Sequence, residues 1–406
     1  MSENTLGAML KEVARVEEKL VKGYQNLLEI KDVESGVTPA EVVYQEDKVR
    51  LLHYKPEVPD VCPVPLLVVY ALVNRQYMMD VEEGLSLFRK LLGKGIELYV
   101  IDWGYPTKID KYLTMEDHIL GYLDSCVEVV RDRSGCDKIN MLGICQGGSF
   151  TVIYAALFPE KVKNLAVMVA PIDFHAGRGK GLLMDWIPLL NPDLMVDVMG
   201  TVPGEFLNLG FLWLKPFALI VDKYVGLTER LDNATALRSF LRMENWIFDS
   251  PDQAGETFRK YVKELFRDNQ LIKGEFTLGG RKVDLKKITM PVLNMFGEQD
   301  HLVPPECSRP LSDLVGSQDV TTICYPVGHI GMYVSSKAQK EMAPNLAQWL
   351  LDRSAKAAAT PTAEIATIPK AAGKASATPT AQVPRMPKAA GKPKTARSQN
   401  KRKQKK

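Results

Sequence analysis

The chain has 406 residues, of which 46% are hydrophobic and 25% charged, the balance of a soluble protein with a large core and not of a collagen-like, wholly disordered or disulfide-dense chain. Length alone allows two or three average domains or one enlarged α/β domain. The formal net charge of +3 hides an uneven distribution: residues 353–406 carry 14 Lys and Arg against the single acid Glu364, and the preceding residues are net acidic.

Six cysteines (Cys62, Cys126, Cys136, Cys145, Cys307 and Cys324) form no CxxC pair, which fits neither a disulfide framework nor a zinc site and favours a reducing, cytoplasmic setting. The N-terminus mixes acids among its apolar residues, unlike a secretory signal, and no run of 18 apolar residues predicts a transmembrane helix. The most apolar region, Phe206 to Val221, is interrupted by Asn208, Lys215 and Pro216; it is suited to presenting an apolar surface.

In chain order, Leu6, Met9, Leu10, Val13, Val16, Leu20, Tyr24, Leu27 and Leu28 recur at steps of three and four, predicting an amphipathic helix within a segment 1–40 that packs on its own domain or on a partner. Val42 to Tyr54 alternates around a polar turn and predicts a hairpin. Six short apolar runs follow: Leu66–Val73, Ile96–Ile101, Ile139–Leu142, Leu165–Val169, Pro291–Phe296 and Val320–Tyr325. Helical patterns separate several of them, at Glu82–Leu92, Thr114–Arg131, Gly147–Phe158 and Lys337–Leu351. Such runs are what parallel strands buried on both faces require.

Alternation fails between residues 172 and 290, which predicts an inserted cap subdomain dividing a core of 41–171 and 291–352. Its aromatics Trp186, Trp213, Phe217, Tyr224 and Trp246 are expected to form mostly the insertion's own core. From 353 to 406 the chain turns to Ala, Pro, Thr and Lys, repeats TPTAEIATIPKAAGK (from Thr360) as TPTAQVPRMPKAAGK (from Thr378), and ends KRKQKK. This composition predicts a disordered tail able to hold DNA or another polyanion.

The chemistry concentrates in INMLGICQGGSF, where an apolar strand runs through Gly143-Ile144-Cys145-Gln146-Gly147 into a helix. That is the context of a nucleophile elbow, in which a tight turn needs small residues two before and two after the nucleophile. Helix N-terminal amides beside Cys145 favour its thiolate and make the Gln146 N–H an oxyanion donor. A second donor is expected near Val73, at the loop after the strand LLVVYALV. Loops after later strands present Asp300 and then His329, the chain order of nucleophile, acid and histidine. The prediction is an α/β-hydrolase fold with an inserted cap and catalytic residues Cys145, Asp300 and His329. His301 is assigned a structural or pocket-edge role; His53, His118 and His175 read as structural, and Asp102 as a turn cap or a residue shaping the site.

The motifs YALVNRQYMMD, YVIDWGYP, GICQGG, ENWIFDSPDQ, FGEQDHLVPP and VGHIGMY resemble the catalytic subunit of polyhydroxyalkanoate synthase, and the short N-terminus resembles the two-subunit, class III enzymes. The resemblance covers roughly residues 1–353. It implies an acyltransferase that polymerises (R)-3-hydroxyacyl-CoA through an acyl-cysteine at Cys145, with His329 as base and Asp300 as third member. Coenzyme A thioester is then substrate and coenzyme A product, with no separate cofactor. It further implies a second synthase subunit, a homodimer or hetero-oligomer, and association with the polymer granule surface. Two other readings stand beside it: a cysteine-dependent hydrolase of thioesters or lactones, and a granule scaffold or nucleic-acid tether acting through the tail.

Overall fold

The computed structural model describes residues 3–30, 33, 36–179, 182–214, 217 and 223–354. The tail expected to be disordered and to hold DNA lies outside them, apart from Arg353 and Ser354, which are helical.

Helix α1 (Glu3–Glu29) opens the chain. The hairpin β1 (Glu41–Glu46) and β2 (Val49–Tyr54) leads to β3 (Leu66–Val69), α2 (Leu87–Leu92), β4 (Leu98–Asp102), α3 (Asp124–Ser134), β5 (Ile139–Ile144), α4 (Gln146–Leu157) and β6 (Val162–Met168). The inserted region holds α5 (Leu182–Trp186), α6 (Pro192–Met199), α7 (Gly204–Trp213), α8 (Lys223–Thr228), α9 (Ala234–Phe248), α10 (Gly255–Lys260), α11 (Gln270–Lys273) and the small hairpin β7 (Thr277–Leu278) and β8 (Arg281–Lys282). The sheet resumes with β9 (Val292–Gly297), α12 (Pro305–Ser308), α13 (Leu311–Leu314) and β10 (Val320–Tyr325), before α14 (Gly331–Val334) and α15 (Ser336–Ser354).

Eight strands form one sheet in the order β1-β2-β4-β3-β5-β6-β9-β10. The hairpin joins antiparallel and every later pairing is parallel. Strands β3, β4, β5 and β9 are buried throughout, as their unbroken apolar sequences require. Two apolar clusters cover the two faces, one around Phe150 and Tyr154 of α4, the other around Phe88 of α2 and Leu346 and Leu350 of α15.

Four expectations are corrected by packing. Strand β3 stops at Val69 and not Val73; the chain leaves the sheet there, and Asn74 further on takes a left-handed φ of 57°. The helix expected from Glu82 begins as a short 3-10 turn; α2 itself starts after Ser86, whose Oγ accepts from the Arg89 N–H at 2.9 Å. Edge strand β10 leaves Thr322 and Cys324 exposed, since only one side of it has a neighbour. The stretch 172–290 is not one packing unit: Tyr261, Leu265, Phe266, Phe276, Val283 and Ile288 belong to the main core beside α4, and the stretch contains the β7–β8 hairpin.

The aromatics depart furthest from expectation. Trp246 is buried, whereas Trp186, Trp213, Phe217 and Tyr224 are 47%, 53%, 76% and 42% exposed. They are joined at the surface by Leu194, Val198, Phe206 and Leu209. Helix α7 carries apolar side chains on opposite sides, with Leu207 and Phe211 lining a cavity and Phe206, Leu209 and Trp213 facing outward. Helix α1 rests on the loop before α9, where Gly23 abuts Leu231 and Asn26 donates to the Leu231 carbonyl at 2.8 Å. It leaves Leu20, Val21, Tyr24, Leu27 and Leu28 exposed.

The β5–α4 turn tolerates no side chain at its flanks. A Cβ on Gly147 would lie 2.3 Å from the Val69 carbonyl oxygen, and one on Gly143 would lie 2.0 Å from Thr151 Oγ1. Gly147→Ala is therefore predicted to lower unfolding stability by about 2–4 kcal/mol, measured by urea denaturation against the unaltered chain.

Candidate active site

Cys145 lies between β5 and α4 with φ 54° and ψ −125°, a backbone that side chains rarely adopt and that the sheet and helix on either side impose. Its amide is fixed by the Met168 carbonyl at 2.9 Å. The sharp reversal holds the thiol over the carboxyl end of the sheet, at the start of a helix whose first N–H groups have no intrahelical acceptor.

The loop after β9 supplies Asp300, whose side chain is fully buried. Its Oδ1 accepts from the Leu302 and Val303 amides, both at 2.9 Å. Its Oδ2 lies 2.6 Å from Nδ1 of His329, on the loop after β10. Because Nδ1 is taken, Nε2 is the nitrogen left for Cys145, which the ring meets as its second partner. Burial alone would lower the His329 value, but the Asp300 charge and then the Cys145 sulfur outweigh it and push it up to about 10. The site therefore favours the charged form of His329. The structure thus brings Cys145, Asp300 and His329 together as their chain order predicts.

The two expected oxyanion positions, Gln146 and Val73, both line the cavity at Cys145. Gln146 Oε1 accepts from the Leu72 N–H at 3.1 Å, tying the loop after β3 to the start of α4. Val73 is thus the next amide along that loop.

Sequence patterns did not disclose what holds this loop from the other side. Asn74 Nδ2 donates to the Trp246 and Ile247 carbonyls at the end of α9, both at 3.2 Å, and Trp246 Nε1 donates to the Arg75 carbonyl at 2.7 Å. Arg75 pairs with Asp102 at 2.8 Å and lies over the Tyr105 ring. Tyr77 and Tyr105 both donate to Asp249, each at 2.7 Å. The separate motifs NRQY, DWGY and NWIFD are parts of one clamp between the loop and the cap. Asp102 fills both roles considered for it, since Oδ1 also accepts from the Gly104 amide at 3.0 Å.

The remaining histidines sit apart from Cys145, except His301, which lines the cavity edge. His53 stacks on Tyr99 and meets Glu97 at 2.5 Å. His118 Nδ1 lies between the Thr114 carbonyl and Thr257 Oγ1, and burial lowers its value. His175 Nε2 lies 3.2 and 3.0 Å from the Phe266 and Arg267 carbonyls. Burial pushes the thiols of Cys126 and Cys307 up to about 12, so both stay protonated where Cys145 opens onto a cavity.

That cavity measures about 370 Å³. Cys145, His329 and the loop after β3 line one side of it, while α7, α9 and the segment 258–266 supply most of its apolar lining. Among the described residues, no group of three or more His, Cys, Asp or Glu is arranged to hold a metal ion, and no helix is long and apolar enough to cross a membrane.

A sheet of this order with a cysteine elbow, an acid and a histidine on successive loops defines an α/β hydrolase, and a family model described as "alpha/beta hydrolase fold" matches residues 64–334. A second, "Poly-beta-hydroxybutyrate polymerase (PhaC) N-terminus", matches residues 5–91. The chain is 52% identical over 337 residues to the poly(3-hydroxyalkanoate) polymerase subunit PhaC of Allochromatium vinosum, covering 82% of this chain and 94% of that one. With the subunit of the same name from Synechocystis sp. it is 50% identical over 343 residues, covering 83% and 91%. A monoacylglycerol lipase from Paleococcus ferrophilus aligns with a TM-score of 0.47 at 16% identity, over 75% of this chain and 99% of that one. The chain belongs to the poly(3-hydroxyalkanoate) polymerase family and is an acyltransferase of polyester synthesis.

Since His329 is held charged up to a pH of about 10, above its ordinary value of about 6.5, the pair's contribution to stability is complete below that ordinary value and is lost as pH rises through about 10. Capture of Cys145 by iodoacetamide at pH 7, followed by peptide mass spectrometry, is predicted to be fast in the unaltered enzyme and about tenfold or more slower in His329→Ala.

Proposed function

We propose that this chain polymerises (R)-3-hydroxyacyl-CoA, in its simplest case the 3-hydroxybutyryl thioester, through an acyl group carried on Cys145. The observation that carries this reading is Cys145, set with His329 and Asp300, opening into a mostly apolar cavity lined by the cap.

His329 Nε2 takes the proton of Cys145, and the thiolate attacks the thioester carbonyl. The oxyanion rests on the Gln146 and Val73 amides. The carbon–sulfur bond to coenzyme A then breaks, and the leaving thiolate takes the proton from His329. For chain growth, the hydroxyl of one acyl group gives its proton to His329 and attacks a second acyl-thioester; an ester bond forms and a thiol is released. Asp300 acts through His329, because Oδ1 is occupied by two backbone amides and Oδ2 by the imidazole. No cofactor beyond the thioester enters this scheme.

A cysteine suits polymerisation because thioester exchange is nearly isoenergetic and keeps the chain end activated, where a serine ester would not. Water is the competing nucleophile, and the apolar lining excludes it. This favours synthesis over the hydrolase reading. The exposed apolar face of α6 and α7 suits contact with the polyester granule, and the exposed stripe of α1 suits the second subunit. Both are surface properties and support a granule-associated enzyme.

Incubation of the full chain with (R)-3-hydroxybutyryl-CoA is predicted to release coenzyme A with formation of insoluble polymer and little free hydroxy acid. Cys145→Ala abolishes polymer, and Asp300→Asn lowers kcat by about 10³–10⁴. Soluble hydroxy acid as the only product would support the hydrolase instead.

A further inference from the structure

Several polar groups on the cavity wall are already bonded away from it. Asn74 and Asn208 donate to cap carbonyls, Lys223 pairs with Glu244 at 2.7 Å, and Gln146 Oε1 holds the Leu72 amide. Tyr70 and Tyr333 differ. Tyr70 follows β3 directly, and Tyr333 lies on α14, four residues after His329. They are 3% and 0% exposed, and both line the cavity with Cys145 and His329. Their hydroxyl oxygens are 3.3 Å apart and their rings meet edge-on at 6.3 Å.

Two phenols carry two protons, and their mutual hydrogen bond uses one. Among the described residues the pair has no further acceptor for the other. A buried donor left unpaired is costly, and two phenylalanines would pack as well without that cost. The pair therefore calls for an oxygen supplied from within the cavity.

We infer that the Tyr70–Tyr333 pair is a donor site for the C3 hydroxyl oxygen of the acyl group, a secondary alcohol two carbons from the reacting carbonyl. The inference rests on the hydroxyacyl reading above and adds to it the residues that recognise the hydroxyl. With the carbonyl carbon at Cys145 Sγ and its oxygen toward the Gln146 amide, C3 is two bonds away, within reach of the same wall. Donation to the alcohol oxygen leaves the alcohol's own proton for His329 Nε2. It also strengthens as negative charge grows on that oxygen during attack on the next thioester. Burial holds both phenols well above their ordinary value, so the pair remains a donor at neutral pH. An acyl chain lacking the hydroxyl leaves the spare donor unpaired, which selects against it.

The test compares the unaltered enzyme with the double variant Tyr70→Phe/Tyr333→Phe, which keeps both rings and removes both donors. Acylation of Cys145 is followed by rapid quench and mass spectrometry with (R)-3-hydroxybutyryl-CoA and, separately, butyryl-CoA. The unaltered enzyme is expected to prefer the hydroxylated thioester in kcat/KM for acylation. In the double variant that preference falls about tenfold, with butyryl acylation changed by no more than about twofold. A preference that is unchanged, including one that survives while both thioesters react more slowly in parallel, overturns the inference while leaving the polymerase reading intact. An unaltered enzyme that is not acylated by (R)-3-hydroxybutyryl-CoA overturns that reading, and this inference with it.

Discussion

The backbone reversal at Cys145 is the constraint on which the rest of the site depends. A residue held at φ 54° between a buried strand and a buried helix puts its side chain above the sheet and the helix amides beside it. The cost of that conformation is offset by close packing on both sides, where Gly143 and Gly147 let the backbones of β3, β5 and α4 approach. Asp300 and His329 then need only sit on the next loops at the same sheet edge. Their 2.6 Å contact follows from that placement, and the Asp300 charge, with Cys145, raises the imidazole value against the opposing effect of burial.

The second organising feature is the clamp between the loop after β3 and the cap. Asn74, Arg75 and Tyr77 reach Trp246, Asp102 and Asp249, so loop position and cavity closure are set by the same residues. A free loop would have to be ordered in every turnover; here the order of the loop after β3 is built in. The same contacts join the two sides of the cavity, which is what an acyl chain protected from water requires.

Much of this was legible because the governing interactions are local or ordered along the chain. Apolar runs mark β5 and β9, glycines mark the elbow, and strand-end loops mark Asp300 and His329. What escaped depends on contacts distant in sequence. Nothing in the pattern of residues 172–290 tells that Tyr261 and Phe276 join the main core while Trp213 and Phe217 face outward, because both sets are aromatics in one stretch without strand alternation. Tyr70 reads as one more apolar strand residue until Tyr333, 263 positions later, is found beside it. Asn74 gave a weak signal, as a residue tolerant of positive φ after a strand, but its cap partners could not be read.

The central claim is that growth proceeds from an acyl group on Cys145. It is tested most directly by quenching the enzyme in acid milliseconds after mixing with (R)-3-hydroxybutyryl-CoA and mapping the adduct by peptide mass spectrometry. A hydroxybutyryl or oligomeric hydroxybutyryl thioester on the peptide containing Cys145, formed at least as fast as coenzyme A is released, is the predicted result. Polymer formation with Cys145 unmodified, or with the acyl group on another residue, would contradict it.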